Sequence, residues 1–186
     1  MSSAISAKPA SAVLLSITAI LGSVAPAYAA EPVSEVKIEI EPTDMNVSVT
    51  VPSTLPIIFN ADGSNTIPSN WTIENISALA GIHVTNVHLN ANGTGWKLTN
   101  ESATVKTQNV NGKTVKFFAG VPGIMKLVEA KSGSTSETGT ASFEANDIRI
   151  ASGATKTLNF TVERGAFTET TASAKAFTMT IDFAFN

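Results

Sequence analysis

From Phe177 to the end the chain alternates without a break. Phe177, Met179, Ile181, Phe183 and Phe185 are large and apolar, and Thr178, Thr180, Asp182 and Ala184 stand between them. Successive side chains of a strand point to opposite faces, so this period of two gathers the five apolar groups on one side of a β-strand and on no single face of a helix. Burying them contributes roughly 8–15 kcal/mol gross, at about 1.5–3 kcal/mol each. Chain entropy offsets much of that gain. The closing segment is therefore predicted to be an integral strand of the core, and a chain without it should not fold.

The same period recurs upstream. Val36, Ile38 and Ile40 alternate with Lys37, Glu39 and Glu41 until Pro42, and Val47, Val49 and Val51 run to Pro52. Leu55 to Phe59 is a short apolar run before an Asp62-Gly63 turn, and Trp71 with Ile73 opens another strand. Between Ile82 and Leu89 the pattern slips: Ile82 and Val84 share one face, whereas Val87 and Leu89 share the other. One extra residue near Thr85-Asn86, a β-bulge, would bring all four to the same side. Asn92-Gly93 turns the chain into Trp96 to Leu98. Thr104 to Val110, Asn111-Gly112 and Lys113 to Phe118 read as a hairpin with a two-residue turn.

Further strands are predicted at Ile124 to Val128, at Ile148 and Ile150, and through Leu158, Phe160 and Val162. Lys131 to Thr140 is polar and glycine-rich and reads as an exposed loop. About ten short strands with turns between them, and no amphipathic helix of ten residues, predict an all-β chain. The expected architecture is an antiparallel β-sandwich, Ig-like or jelly-roll-like, rather than a βαβ fold.

Residues 1–29 read as a signal peptide. Lys8 is the only charge before Glu31, and the apolar run Ala12 to Ala25 leads to Pro26 and a small-x-small site at Ala27-Tyr28-Ala29. Fourteen apolar residues fall short of the roughly 20 needed to cross a bilayer. Residues 30–186 then form a single domain, predicted to be secreted, surface-associated and free of the membrane. The chain has no cysteine, which excludes disulfides, thiolate metal sites and a cysteine nucleophile. Export without disulfides is the habit of bacterial more than animal proteins. A formal charge of −3 argues against nucleic acid as a partner.

Sites for chemistry are sparse. His83 and His88 are the only histidines, five apart, so in a regular strand they face opposite sides and share no metal. No Gly-x-Ser-x-Gly elbow supports a hydrolase. Asn60 to Asn65 carries oxygen side chains at alternate positions as calcium loops do, but its glycine is misplaced for an EF-hand, and a turn is the better reading. No catalytic residue, metal or cofactor is predicted. Trp71 and Trp96 are candidates for a sugar-stacking platform, although tryptophans of small β-domains more often pack in the core. Residues 31–41, with Val36, Ile38 and Ile40 as the apolar set, form either an ordinary first strand or a donor that pairs with a neighbouring molecule.

Val47 to Asn60 (VSVTVPSTLPIIFN), Trp71 to Ser77 and Val84 to Val87 resemble secreted surface β-sandwiches of Gram-positive bacteria, loosely the TasA/camelysin type of matrix-fibre subunit. Gly95-Trp96-Lys97-Leu98 resembles the first Trp-x-Leu motif of WxL wall-binding domains; in place of the second stands Phe177 to Phe185. The resemblance implies a non-enzymatic surface role, as a fibre, pilus or matrix subunit. Its partner would be the protein itself or, in the alternative of a carbohydrate- or cell-wall-binding module, a wall glycan.

Overall fold

The computed structural model describes residues 34–41, 48–60, 62–78, 80–168 and 174–186. The expected signal peptide, Val47 and the side chains of Val36 and Ile40 lie outside the described residues. In chain order the first strands are β1 (Ser34–Glu41), β2 (Val49–Thr50), β3 (Thr54–Phe59), β4 (Asn65–Thr66) and β5 (Thr72–Asn75). Then come β6 (Ile82–Asn90), β7 (Lys97–Thr99), a helix α1 (Ser102–Thr107), β8 (Thr114–Val121) and β9 (Ile124–Leu127). The chain closes with β10 (Glu129–Ala130), β11 (Thr135–Ser136), β12 (Thr138–Ser142), β13 (Arg149–Ile150), β14 (Thr155–Thr157), β15 (Asn159–Arg164) and β16 (Ala174–Phe185).

The protein is all-β, and its strands fall into three sheets. The largest has the order β10-β12-β6-β16-β1-β3-β4, with β13 also paired to β6. A second has the order β11-β7-β8-β15 with β9 on β8, and a third is β14-β5-β2. The core draws on both larger sheets. Ile38, Ile57, Phe59 and Phe177 from the first meet Val115, Phe117 and Val162 from the second, with Trp96 among them, around a residual void of only about 10 Å3. Trp96 stacks on Phe167 with ring centres 5.9 Å apart, and Trp71 meets Phe160 edge-on at 5.3 Å.

β16 occupies the middle of the largest sheet, between β6 and β1. Phe177, Met179, Ile181 and Phe183 are buried as their spacing predicts, but Phe185, at the strand's end, is 51% exposed. The bulge stands where the slip in the pattern places it. Asp182 faces Asn86 and Phe183 faces Val84, so Thr85 has no opposite number on β16. Its carbonyl accepts instead from the amide of Phe143 at 2.8 Å. Ile82, Val84, Val87 and Leu89 are consequently all buried.

Two sequence expectations fail for physical reasons. The hairpin over Thr104 to Phe118 does not form; Ser102–Thr107 is helical and β8 runs parallel to β7. Parallel strands need a crossover, and residues 100–113 with α1 supply it. Val105 is buried beneath the helix, and the Gln108 side chain takes the place of a neighbouring strand. Its Nε2 donates to the Thr114 carbonyl at 2.8 Å and its Oε1 accepts from the Thr114 amide at 3.0 Å. With β1 also parallel to β16, the sheets are mixed rather than purely antiparallel. Second, the loop expected over Lys131 to Thr140 is partly sheet, because β12 lies between β10 and β6. Its inward residues are only Gly139 and Ala141, so it carries no apolar alternation to read.

Candidate functional site

The outer face of β12, β6 and β16 carries a grid of polar side chains. Thr138, Asn90 and Thr178 form one row; Thr140, His88 and Thr180 the next; Ser142, Asn86 and Asp182 the third. Paired residues of neighbouring strands share a face, so register alone assembles this surface from three distant parts of the chain. The bulge at Thr85 is what turns Asn86 and His88 outward while keeping Val87 and Leu89 inward.

A relay of hydrogen bonds runs through the grid. Asp182 Oδ2 lies 2.8 Å from His88 Nε2, and His88 Nδ1 lies 2.8 Å from the Thr140 hydroxyl. Asn86 donates to the same Asp182 oxygen at 3.3 Å, and Ser142 donates to Asn86 Oδ1 at 2.9 Å. At one end the turn residue Asn92, at φ 49°, folds its amide over Thr178 Oγ1 at 2.9 Å. Hydroxyl, imidazole and carboxylate thus stand in the sequence that polarises a hydroxyl for proton transfer. Thr140, however, lies opposite both Glu129 of β10 and His88 of β6, which leaves it inside a paired ladder.

His83 lies on the same face, opposite Ala184, because the bulge changes the phase between the two histidines. It is buried, and its Nδ1 meets Asn186 Oδ1 at 3.0 Å. The two imidazoles therefore have separate partners. Among the described residues, no three His, Cys, Asp or Glu side chains gather as metal ligands.

The loop Asn60 to Asn65 contains a cation of the protein's own. The Arg164 guanidinium donates through Nη2 to the carbonyls of Asn60 and, at 3.0 Å, Ser64, and through Nε to Asn65 Oδ1 at 2.8 Å. It lies over the Phe59 ring at 5.0 Å and the Phe167 ring at 5.6 Å. Burial lowers its pKa from the ordinary arginine value, and the nearby Asp62 opposes that shift. Asp62 is held below the usual carboxylate range, chiefly by the Ser64 hydroxyl and then by the Ser64 amide. The Asn60 and Ser64 carbonyls of this loop are thus engaged by the arginine.

The candidate sugar platform is not a surface. Trp71 is 2% exposed and Trp96 5%, so neither ring offers a face to a ligand. Trp71 Nε1 donates to the Thr54 carbonyl at 3.1 Å, which satisfies its polar edge inside the fold. Of the candidate donor set, Ile38 is buried in the core of its own chain. The grid around His88 is the site that sequence reasoning missed. Its only linear trace is the polar half of β16, Thr178, Thr180 and Asp182. No family model, curated protein or solved structure matches the chain.

Proposed function

We propose that this chain is an exported, non-enzymatic surface protein, a β-sandwich in which the two larger sheets face each other, that self-associates by exchanging its first strand. The position of β1 carries the reading. It comes from the N-terminal end of the described chain, yet it lies inside the largest sheet, antiparallel to β3 and parallel to β16. A strand so placed can be supplied by a second copy with every contact retained, and such exchange is a low-cost route from monomer to assembly. The sheet's outer strands on the main path, β10 and β4, are two residues long and offer little for edge-to-edge pairing. In this sheet, exchange of an interior strand is thus favoured over addition at an edge. The apolar run Ala12 to Ala25 and the Ala27-Tyr28-Ala29 site support export, and the resemblance to matrix-fibre subunits supports a surface role.

The absence of native cysteine makes the test clean. Lys37 of β1 lies directly opposite Lys175 of β16 and both are exposed, so Lys37→Cys and Lys175→Cys place two thiols on neighbouring strands. After treatment with a short bismaleimide, strand exchange predicts a ladder of covalent multimers on a denaturing gel and filaments or oligomers by electron microscopy and light scattering. Cross-links confined to single chains, in a protein that scatters as a monomer, would overturn strand exchange.

A further inference from the structure

The polar grid is the floor of an open groove of about 410 Å3 on the outer face of the largest sheet. That volume falls within the range of sites that hold small ligands. The relay through Asn86, Asp182, His88 and Thr140 fixes the floor before any ligand arrives, which reduces the side-chain ordering that binding must impose. Both bonds that Asp182 accepts from described residues fall on Oδ2, which leaves Oδ1 as an acceptor. Along the groove Thr180, Asn90 and Lys131 add a hydroxyl, an amide and an ammonium to the lining.

The chemistry of this lining selects a ligand class. An anion would meet the Asp182 carboxylate. A metal cation would find a single carboxylate already bonded to His88 and Asn86, with no cluster of three His, Cys, Asp or Glu among the described residues. An apolar ligand would find Leu89 buried beneath the floor and otherwise polar walls. An extended peptide has no free ladder to join, since β6 lies between β12 and β16 and β16 lies between β6 and β1. A sugar hydroxyl donates and accepts at once, and the lining alternates the two roles within one site. We propose that the groove binds a neutral oligosaccharide, whose hydroxyls bond to Asp182, Thr180, Asn90 and Lys131. The proposal does not depend on strand exchange, because one chain supplies the whole groove.

The test is a titration of the nitrogen-15-labelled protein, followed by its amide spectrum, with chitotetraose, maltotetraose and mannotetraose in turn. At least one sugar should shift amides of residues 88–92, 138–140 and 178–182 in a saturable way. Asp182→Asn and, separately, Thr180→Val should each weaken that binding by about tenfold, as loss of a hydrogen bond does when a partner is left unsatisfied. Elsewhere their spectra should match the parent's. Thr180→Val keeps the relay intact, so a folding defect in the Asp182 variant would leave the question answerable. Three results would each overturn the proposal: no shift in these segments with any of the sugars, undiminished binding by Thr180→Val, or the same shifts produced by inorganic phosphate or calcium chloride.

Discussion

Gly139 shows how much one missing side chain can decide. A Cβ built there would sit 2.7 Å from the Glu129 carbonyl oxygen and 2.7 Å from Leu98 Cδ1, closer than real carbon contacts allow. The backbone of β12 thus reaches β10 and the core only because residue 139 carries hydrogen in place of a methyl group. Gly139→Ala should cost about 1–3 kcal/mol, the usual penalty of overpacking, measured as a lower urea midpoint with an unchanged slope. Asp147 makes a different kind of prediction. Its Oδ2 accepts from Lys126 Nζ at 2.7 Å and from the Glu144 amide at 2.9 Å, and these bonds, the lysine's first, hold its pKa below the usual carboxylate value. A carboxylate with a depressed folded pKa adds stability above its unfolded pKa of about 4 and loses it as the pH falls through the folded value. Asp147→Asn should therefore be less stable than the parent near neutrality, and the two urea midpoints should converge in strong acid.

At the scale of elements, the segment around α1 is the instructive case. Thr104, Val105 and Thr107 favour strands by propensity, yet they lie in a six-residue helix. A short helix has little stability of its own, so what holds it is tertiary: buried Val105 and the Gln108 clamp on Thr114. Gln108→Ala would leave both main-chain groups of Thr114 without that partner. The expected cost is about 1–3 kcal/mol, with faster hydrogen exchange at Thr114 than at the middle of β8. The alternation in this stretch is equally compatible with a hairpin, and local sequence has no means of announcing a parallel partner. β12 was illegible for the opposite reason. Its inward positions, Gly139 and Ala141, are too small to register as apolar, so only its polar face shows in the sequence.

At the scale of the molecule, β16 and β1 form the middle of the largest sheet, although they come from opposite ends of the described chain. A chain ending at residue 173 would lose the strand that joins β6 to β1 and, with it, Phe177, Met179, Ile181 and Phe183 from the core. It should fail to fold, which a collapsed amide dispersion in its nuclear magnetic resonance spectrum would record. A native-like spectrum would show that the remaining strands suffice.

The all-β class, the core strands with large alternating side chains, the bulge near Thr85-Asn86 and the turn at Asp62-Gly63 are legible in the residues alone. Each is written locally, in a period of two, a slip of that period, or a residue pair that favours a turn. Tertiary packing set which strands pair and in which direction, put Trp71 and Trp96 inside, and brought Arg164 into the Asn60 to Asn65 loop. It also decided that Thr140, His88 and Asp182 meet. His88 and Asp182 are 94 positions apart, and nothing in either segment encodes the register that joins them. Pairing depends on which apolar faces can be buried together, a property of the whole chain rather than of any stretch within it.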